Sequence, residues 1–166
     1  MVLNTFPALA KAAGNYNNAQ LIKMEATANG YAEGIAISPN GLLGEGSGQN
    51  LFLVRDGMLV TPVLDGTNLV GITPHTVVTI AADLGIPVRE QPVPREALYT
   101  ADELFFTGTA SEVTPIRSVG RVQVGAGRGG RITRALQQRY MQTVRGEVPD
   151  AHGWLTPVRR AAEVRS

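Results

Sequence analysis

Residues 50–62 read NLFLV, RDG, MLVTP, two apolar runs separated by a tripeptide that ends in Asp56-Gly57. Asp-Gly supplies the positive φ angles of a tight connection, so this stretch predicts an antiparallel hairpin. EGIAIS, the turn PNG and LLGEG repeat the pattern just before it, with Asn40-Gly41 at the bend. The middle of the chain is therefore expected to be antiparallel sheet.

Helices are expected on either side. NYNNAQLIKMEATANG places Asn17 as N-cap with Gln20 at N3 and Gly30 as a left-handed stop; Leu21, Met24 and Ala28 share an apolar face, and Lys23 falls off it as a solvated charge. GITPHTVVTIAADLG is the best-marked helix, with Thr73 as cap, Pro74 in the first helical position, Val77, Ile80 and Leu84 on one face and Gly85 as terminator. A strand follows at IPVREQ, then a short helix at PREALYTA, a strand at ELFFTG and extended segments at VTPIRSV and RVQVG. Ile132, Ala135, Leu136, Tyr140 and Val144 give a last helix of period near 3.6. From Val148 onward a docked Trp154 and then a loose end are expected. Strands and helices mix without regular βαβ alternation, which points to an α+β fold.

At 166 residues and 43% hydrophobic content the chain suits one domain. Its 15 basic and 14 acidic residues read as spread along the chain, so small or neutral partners are expected and nucleic acid is not. The absence of cysteine excludes disulfides, thiolate metal sites and a cysteine nucleophile. Neither a signal-like start nor an apolar run long enough for a membrane helix is present, so a soluble cytoplasmic protein without membrane contact is expected. Histidine occurs only at positions 75 and 152, which rules out a multi-histidine metal centre; no metal is expected.

GAGRGG, residues 125–130, formally fits a dinucleotide fingerprint between a strand and a helix. That fingerprint also needs a second parallel strand bearing an acid about 20 residues on, where this chain has its proline-marked tail, so the loop reads as a glycine-rich connection. The start of the Thr73 helix offers backbone N–H groups and a hydroxyl suited to phosphate, or else Thr73 simply caps its own helix. Lys11, in FPALAKAAGNY, has five apolar residues among the seven before it and is expected to be at least partly buried, either as an amine kept neutral for attack on an aldehyde or as a stem snorkelling to the surface. Glu45 stands among glycines in LLGEGSGQNLFLV. An amine for an aldehyde, donors for a phosphate and a carboxylate for a pyridinium nitrogen are together the handles by which proteins hold pyridoxal phosphate.

Nearly the whole chain, from about Asn4 to about Val158, resembles the branched-chain amino acid aminotransferases of the fold-type IV pyridoxal-phosphate enzymes. The likeness runs through AKAAGNYNNA, GYAEGIAISPNGLLGEGSGQNLFLVRDG, LVGIT, LYTADELFFTGTASEVTPIRSV and VGAGRGGRIT. It implies a mainly antiparallel sheet forming a pseudo-barrel with flanking helices, as the C-terminal cofactor-binding domain (residues 1–158, with 159–166 a loose tail). It also implies that Lys11 is the Schiff-base lysine, that Tyr16 contacts the cofactor phenolic oxygen and that Glu45 pairs with the pyridine nitrogen. Ile72, Thr73 and Thr109 would hold the phosphate, and Ala110 would offer its backbone N–H to the substrate carboxylate. The implied reaction moves the amino group of Leu, Ile or Val to 2-oxoglutarate.

Two departures stand out. Pro74 occupies a position where the family signature usually has a basic residue, and the family's chains are about twice this length, with an N-terminal domain that is absent here. Little activity from the chain alone and self-association through uncovered apolar surface are therefore expected. D-amino acid aminotransferases and aminodeoxychorismate lyases share the lysine and glutamate, and a non-catalytic domain keeping the fold is the reading from another class.

Overall fold

The computed structural model describes residues 10–64 and 68–158; the expected tail at 159–166 lies outside them. A 3-10 turn at Ala13–Tyr16 leads into α1 (Asn17–Ala28), followed by β1 (Ile35–Ile37), β2 (Leu43–Gly46), β3 (Asn50–Arg55), β4 (Met58–Pro62), α2 (Ile72–Asp83) and β5 (Val88–Gln91). Then come α3 (Ala97–Thr100), β6 (Glu103–Gly108), β7 (Glu112–Ile116), the short β8 (Ser118–Val119) and β9 (Val122–Gln123), and α4 (Arg131–Val144).

The main sheet has the order β5-β4-β3-β6-β7 and is antiparallel except where β5 lies parallel to β4, with α2 crossing between them. β1 with β2 and β8 with β9 make two small ribbons. The α+β class and the mainly antiparallel pairing are as the sequence predicts. The sheet is open, and the described residues form no closed barrel. Asp56 (φ 51°) and Gly57 (φ 78°) make the turn of the β3–β4 hairpin as expected. In the β1–β2 connection only Gly41 takes positive φ.

β3 is the central strand and is apolar on both faces. Leu51 and Leu53 pack with Val60, Leu104 and Phe106 on one side, while Phe52 and Val54 pack with Phe105, Val77, Ile80, Ile132 and Leu136 on the other. The two faces follow from the period-2 alternation of a strand, and double coverage explains why the run shows no polar alternation. Phe52 and Phe105 are register partners and their rings stack 5.2 Å apart, a contact worth about 1 kcal/mol beyond its burial.

Three helix details differ from expectation. α1 grows directly out of the 3-10 turn, so Asn17 is its first residue rather than its cap, although Gly30 (φ 78°) stops it as predicted. Its Leu21 and Met24 are exposed (63% and 66%), because α1 turns Ile22 and Ala26 inward over Gly34. α2 begins with Gly71 in extended conformation as its cap, and the buried Thr73 makes no side-chain cap bond. Pro74 thus falls at N3, where the missing N–H is still one of the first-turn orphans. Leu84 and Val144 lie at the rims of their faces and are exposed.

Trp154 does dock, packing on the core beneath α2 and α4. The Asp150 carboxylate accepts the N–H groups of Trp154 (2.9 Å) and Leu155 (2.8 Å), and His152 stacks on Trp154 while its Nε2 lies 2.8 Å from Asp83. The charge is not evenly spread after all. Residues 113–146 hold seven arginines and no acidic residue, so all 14 acids lie elsewhere. Among the described residues no helix is long and apolar enough to cross a membrane.

Candidate active site

Glu45 sits half-buried in β2. Its Oε2 accepts the Leu69 N–H (3.1 Å) and the Asn50 amide (3.3 Å), and the same amide donates to the Leu69 carbonyl (2.9 Å). The glutamate is thereby tied to the loop that leads into α2. Desolvation raises its pKa from 4.5 to about 7, against the opposing pull of the Leu69 N–H and the positive field of Lys11. A carboxylate in this state lacks a full counter-charge and gains most from a cation brought against it.

Three further segments pack on β2, β3 or the turn between them. A Cβ on Gly71 would lie 2.7 Å from Asn50 Oδ1, so glycine there lets the start of α2 close onto the Glu45 network. The β2–β3 turn is held by Glu33. Its Oε1 accepts the N–H groups of Gly34 (2.9 Å) and Ser47 (3.3 Å), and its Oε2 accepts from Gln49 (2.8 Å) and Lys23 (3.3 Å). Burial pushes the Glu33 pKa up, but bonds from Ser47, Gly34 and Lys23 outweigh it and hold the value below the ordinary one. The β6–β7 turn packs against the same place, because a Cβ on Gly108 would meet Ser111 Oγ at 2.8 Å and the Gly48 carbonyl at 3.4 Å.

The predicted residues are thus distributed as follows. The β2–β3 segment that carries Glu45 meets the start of α2 through Asn50 and Gly71 and the β6–β7 turn through Gly48 and Gly108, and Lys11 is close enough to act on Glu45 electrostatically. Lys11 is exposed, not partly buried, because the alanines and glycine that follow it bring no bulk to cover its stem. Tyr16 is half-buried at the junction of the 3-10 turn and α1. Ile72 (84% exposed), Thr109 and Ala110 face outward. A cavity of about 380 Å³ behind this network is lined by Asn50, Leu69 and Gly71 together with Val78, Val88 and Glu90, but not by Lys11, Tyr16, Glu45 or Thr109.

Sequence reasoning missed Asn50, Leu69 and Glu33. Leu69 acts through its backbone N–H, which leaves no mark in the sequence, and Glu33 reads simply as the polar start of a strand. The glycine-rich loop at 125–130 is closed to a dinucleotide. Glu103 already occupies the start of α4, its carboxylate accepting the N–H groups of Ile132 (3.1 Å) and Thr133 (2.7 Å). A Cβ on Gly130 would fall on that carboxylate, so glycine here admits the cap.

The site thus combines a desolvated carboxylate in the field of a lysine with a helix start and an exposed turn nearby. The profile of the amino-transferase class IV family matches residues 5–119. The chain is 50% identical to the branched-chain-amino-acid aminotransferase of Salmonella typhimurium over 155 residues, 93% of this chain and 50% of that one. Among solved structures, the Escherichia coli branched-chain amino acid aminotransferase superposes with a TM-score of 0.91 at 49% identity, covering 94% of this chain and 51% of that chain. A T.th. branched-chain amino acid aminotransferase, complexed with N-(5'-phosphopyridoxyl)-L-glutamate, superposes with a TM-score of 0.90 at 44% identity, covering 94% and 52%. The chain belongs to the class IV aminotransferases, a family of pyridoxal-phosphate enzymes. It spans about half the length of the curated relatives it matches, and the match falls on their C-terminal half.

Proposed function

We propose that this chain is the cofactor-binding half of a branched-chain amino acid aminotransferase, which moves the amino group of Leu, Ile or Val to 2-oxoglutarate. The observation that carries this is the placing of Glu45, half-buried in β2 and held by the Leu69 N–H and the Asn50 amide within the field of Lys11. A half-buried carboxylate without a full counter-charge gains its ionised form when a cation is brought against it, which suits the protonated ring nitrogen of pyridoxal phosphate. The first turn of α2, where Ile72 is exposed, and the exposed Thr109 turn suit the phosphate, so the residues present suit the group.

Each residue has a task in this reading. Glu45, fixed by Leu69 and Asn50, holds a proton on the ring nitrogen, and the pairing draws its own pKa back down toward the ordinary carboxylate range. Lys11 anchors the cofactor and, once displaced, takes the proton from the substrate α-carbon. Tyr16 orients the ring through its phenolic oxygen. Ile72, Thr73 and Thr109 fix the phosphate, and the Ala110 N–H receives the substrate carboxylate. When bound, pyridoxal phosphate supplies the electron-withdrawing ring that stabilises negative charge at that carbon.

The test is to add pyridoxal phosphate, reduce with borohydride and locate the adduct by mass spectrometry. Label on Lys11 is expected, with turnover by the 166-residue chain far below that of a full-length homologue. Label on Lys23 alone, or none, would remove the site, and turnover within about tenfold of the homologue would remove the half-enzyme reading.

We also propose that the half of the relatives outside this chain covers the Leu21–Met24 stripe and the apolar rim of Val70 and Ile72, all more than 60% exposed. Exposed apolar patches drive association. Light scattering over a dilution series should show self-association, and a monomer at high concentration would contradict it.

A further inference from the structure

Independently of the cofactor site, we propose that the arginine-rich end of the domain binds single-stranded nucleic acid, with Arg117, Arg121, Arg128 and Arg131 on the phosphates and Tyr99 as a stacking platform for a base. The seven positive charges of residues 113–146 are all arginine. Its planar guanidinium matches phosphate oxygens bidentately, which a lysine cannot do.

The fold gathers these residues. The Val124 N–H donates to the Arg117 carbonyl (3.0 Å), so both ends of the β8–β9 ribbon meet at its base. The 125–130 loop folds back on that base, Gly127 against the Gln123 side chain and Gly129 against Pro115, so Arg128 stands between two contacts with the segment that carries Arg117, and Arg131 follows it. Arg121 is at the tip of a ribbon only two residue pairs long. All four arginines are exposed, and none pairs with a carboxylate among the described residues. The neighbouring acids bond to backbone N–H groups rather than to these arginines, Glu103 to Ile132 and Thr133 and Asp102 to Asp56 (2.8 Å). Arg134 is committed in part, its Nε donating to the Gly129 carbonyl (2.7 Å).

Two features favour a nucleic acid strand over a lone anion. Tyr99 is 41% exposed, and its hydroxyl lies 3.6 Å from where a Cβ on Gly120 would stand, so an exposed aromatic ring reaches the turn that carries Arg121. Basic grooves with interleaved aromatic faces are how proteins hold single strands without reading sequence. The turn itself, Gly120-Arg121, has both residues at positive φ (55° and 68°), a conformation that disfavours every side chain at Arg121. Arg121 therefore stands there against backbone preference.

The experiment is fluorescence anisotropy of a labelled oligo-uridine against the 166-residue chain over a salt series. Four phosphate contacts predict a slope of log affinity on log salt of about −3, or about 20-fold weaker binding at about 150 mM than at about 50 mM salt. Arg128→Gln with Arg131→Gln should flatten that slope by about 1.4. Arg121→Gly should weaken binding while raising the melting temperature, a pairing of effects that a merely structural role would not give. Tyr99→Ala should weaken binding to the oligonucleotide but not to inorganic polyphosphate, and Tyr99→Phe should restore it. Any of three results would overturn the proposal: no binding at the lowest salt, binding unchanged in the double arginine variant, or polyphosphate bound as well as the oligonucleotide with no dependence on Tyr99.

Discussion

Glu45→Gln should make the chain more stable above neutral pH while disabling the chemistry proposed for it. The folded pKa of about 7 stands above the ordinary 4.5 because the carboxylate is desolvated. Between those values the folded chain keeps a proton that the unfolded chain has released. Stability is therefore full below about pH 4.5, falls as pH rises through 7, and stays reduced above it. The glutamine carries no charge to desolvate, and its carbonyl can still accept from Leu69 and Asn50. The gain above about pH 7 should be on the order of 1 to 2 kcal/mol once the partial exposure of the carboxylate is allowed for. Urea unfolding of both proteins across this range would show curves that coincide near the acid end and part as pH rises; parallel curves would contradict the desolvation argument. In a full-length enzyme the same change should lower turnover by a factor of roughly 10² to 10⁴ and affect cofactor affinity far less, because a ring nitrogen without a stable proton withdraws charge poorly.

Gly125→Ala should be among the most damaging single methyl groups that can be added to this chain. A Cβ there would fall on the backbone oxygen of Asp102, which cannot swing aside as a side-chain tip can. The residue also sits at φ 48°, where any side chain is strained. A loss of about 3 kcal/mol or more is expected. Gly127→Ala is the comparison, since its φ of 68° is equally unfavourable but its Cβ would meet only the flexible Gln123 side chain; about 1 kcal/mol is expected there. Equal losses in denaturant unfolding would mean that the Asp102 contact contributes nothing.

What the sequence makes legible is what local chemistry decides. Asp56-Gly57 and Gly30 could be read because positive φ is a property of one or two residues. The buried pair Val77 and Ile80 could be read because helical periodicity registers the covering of a face. The same periodicity failed on α1, where Leu21 and Met24 make as good a stripe as the inward Ile22 and Ala26, and only the packing of Gly34 decides between them. The parallel pairing of β5 was not visible either, because VREQ carries no sign of which neighbour its hydrogen bonds will choose. At the candidate site the sequence offers side chains with distinctive chemistry, Lys11, Glu45 and the threonines. The Leu69 N–H and the inward reach of Glu33 and Glu103 are set by tertiary contacts between positions up to 30 apart in sequence. No local pattern encodes them.

The order of strands in the sheet has a consequence for how the chain comes together in time. β3 meets β4 across a two-residue bend, a contact that hairpins form within about 10 μs. On its other side β3 meets β6, with Leu53 opposite Leu104 after the whole of α2 and β5 has intervened. Closing so long a loop is entropically uphill until the core on both faces of β3 is ready to reward it. The Glu45–Asn50 bond and the β3–β4 hairpin are local and can form early, whereas the Thr109 turn arrives only with β6. The Glu45–Asn50 bond therefore asks only for neighbouring residues, whereas the turn beside it depends on the pairing of β3 with β6, which spans the most sequence of any in the sheet.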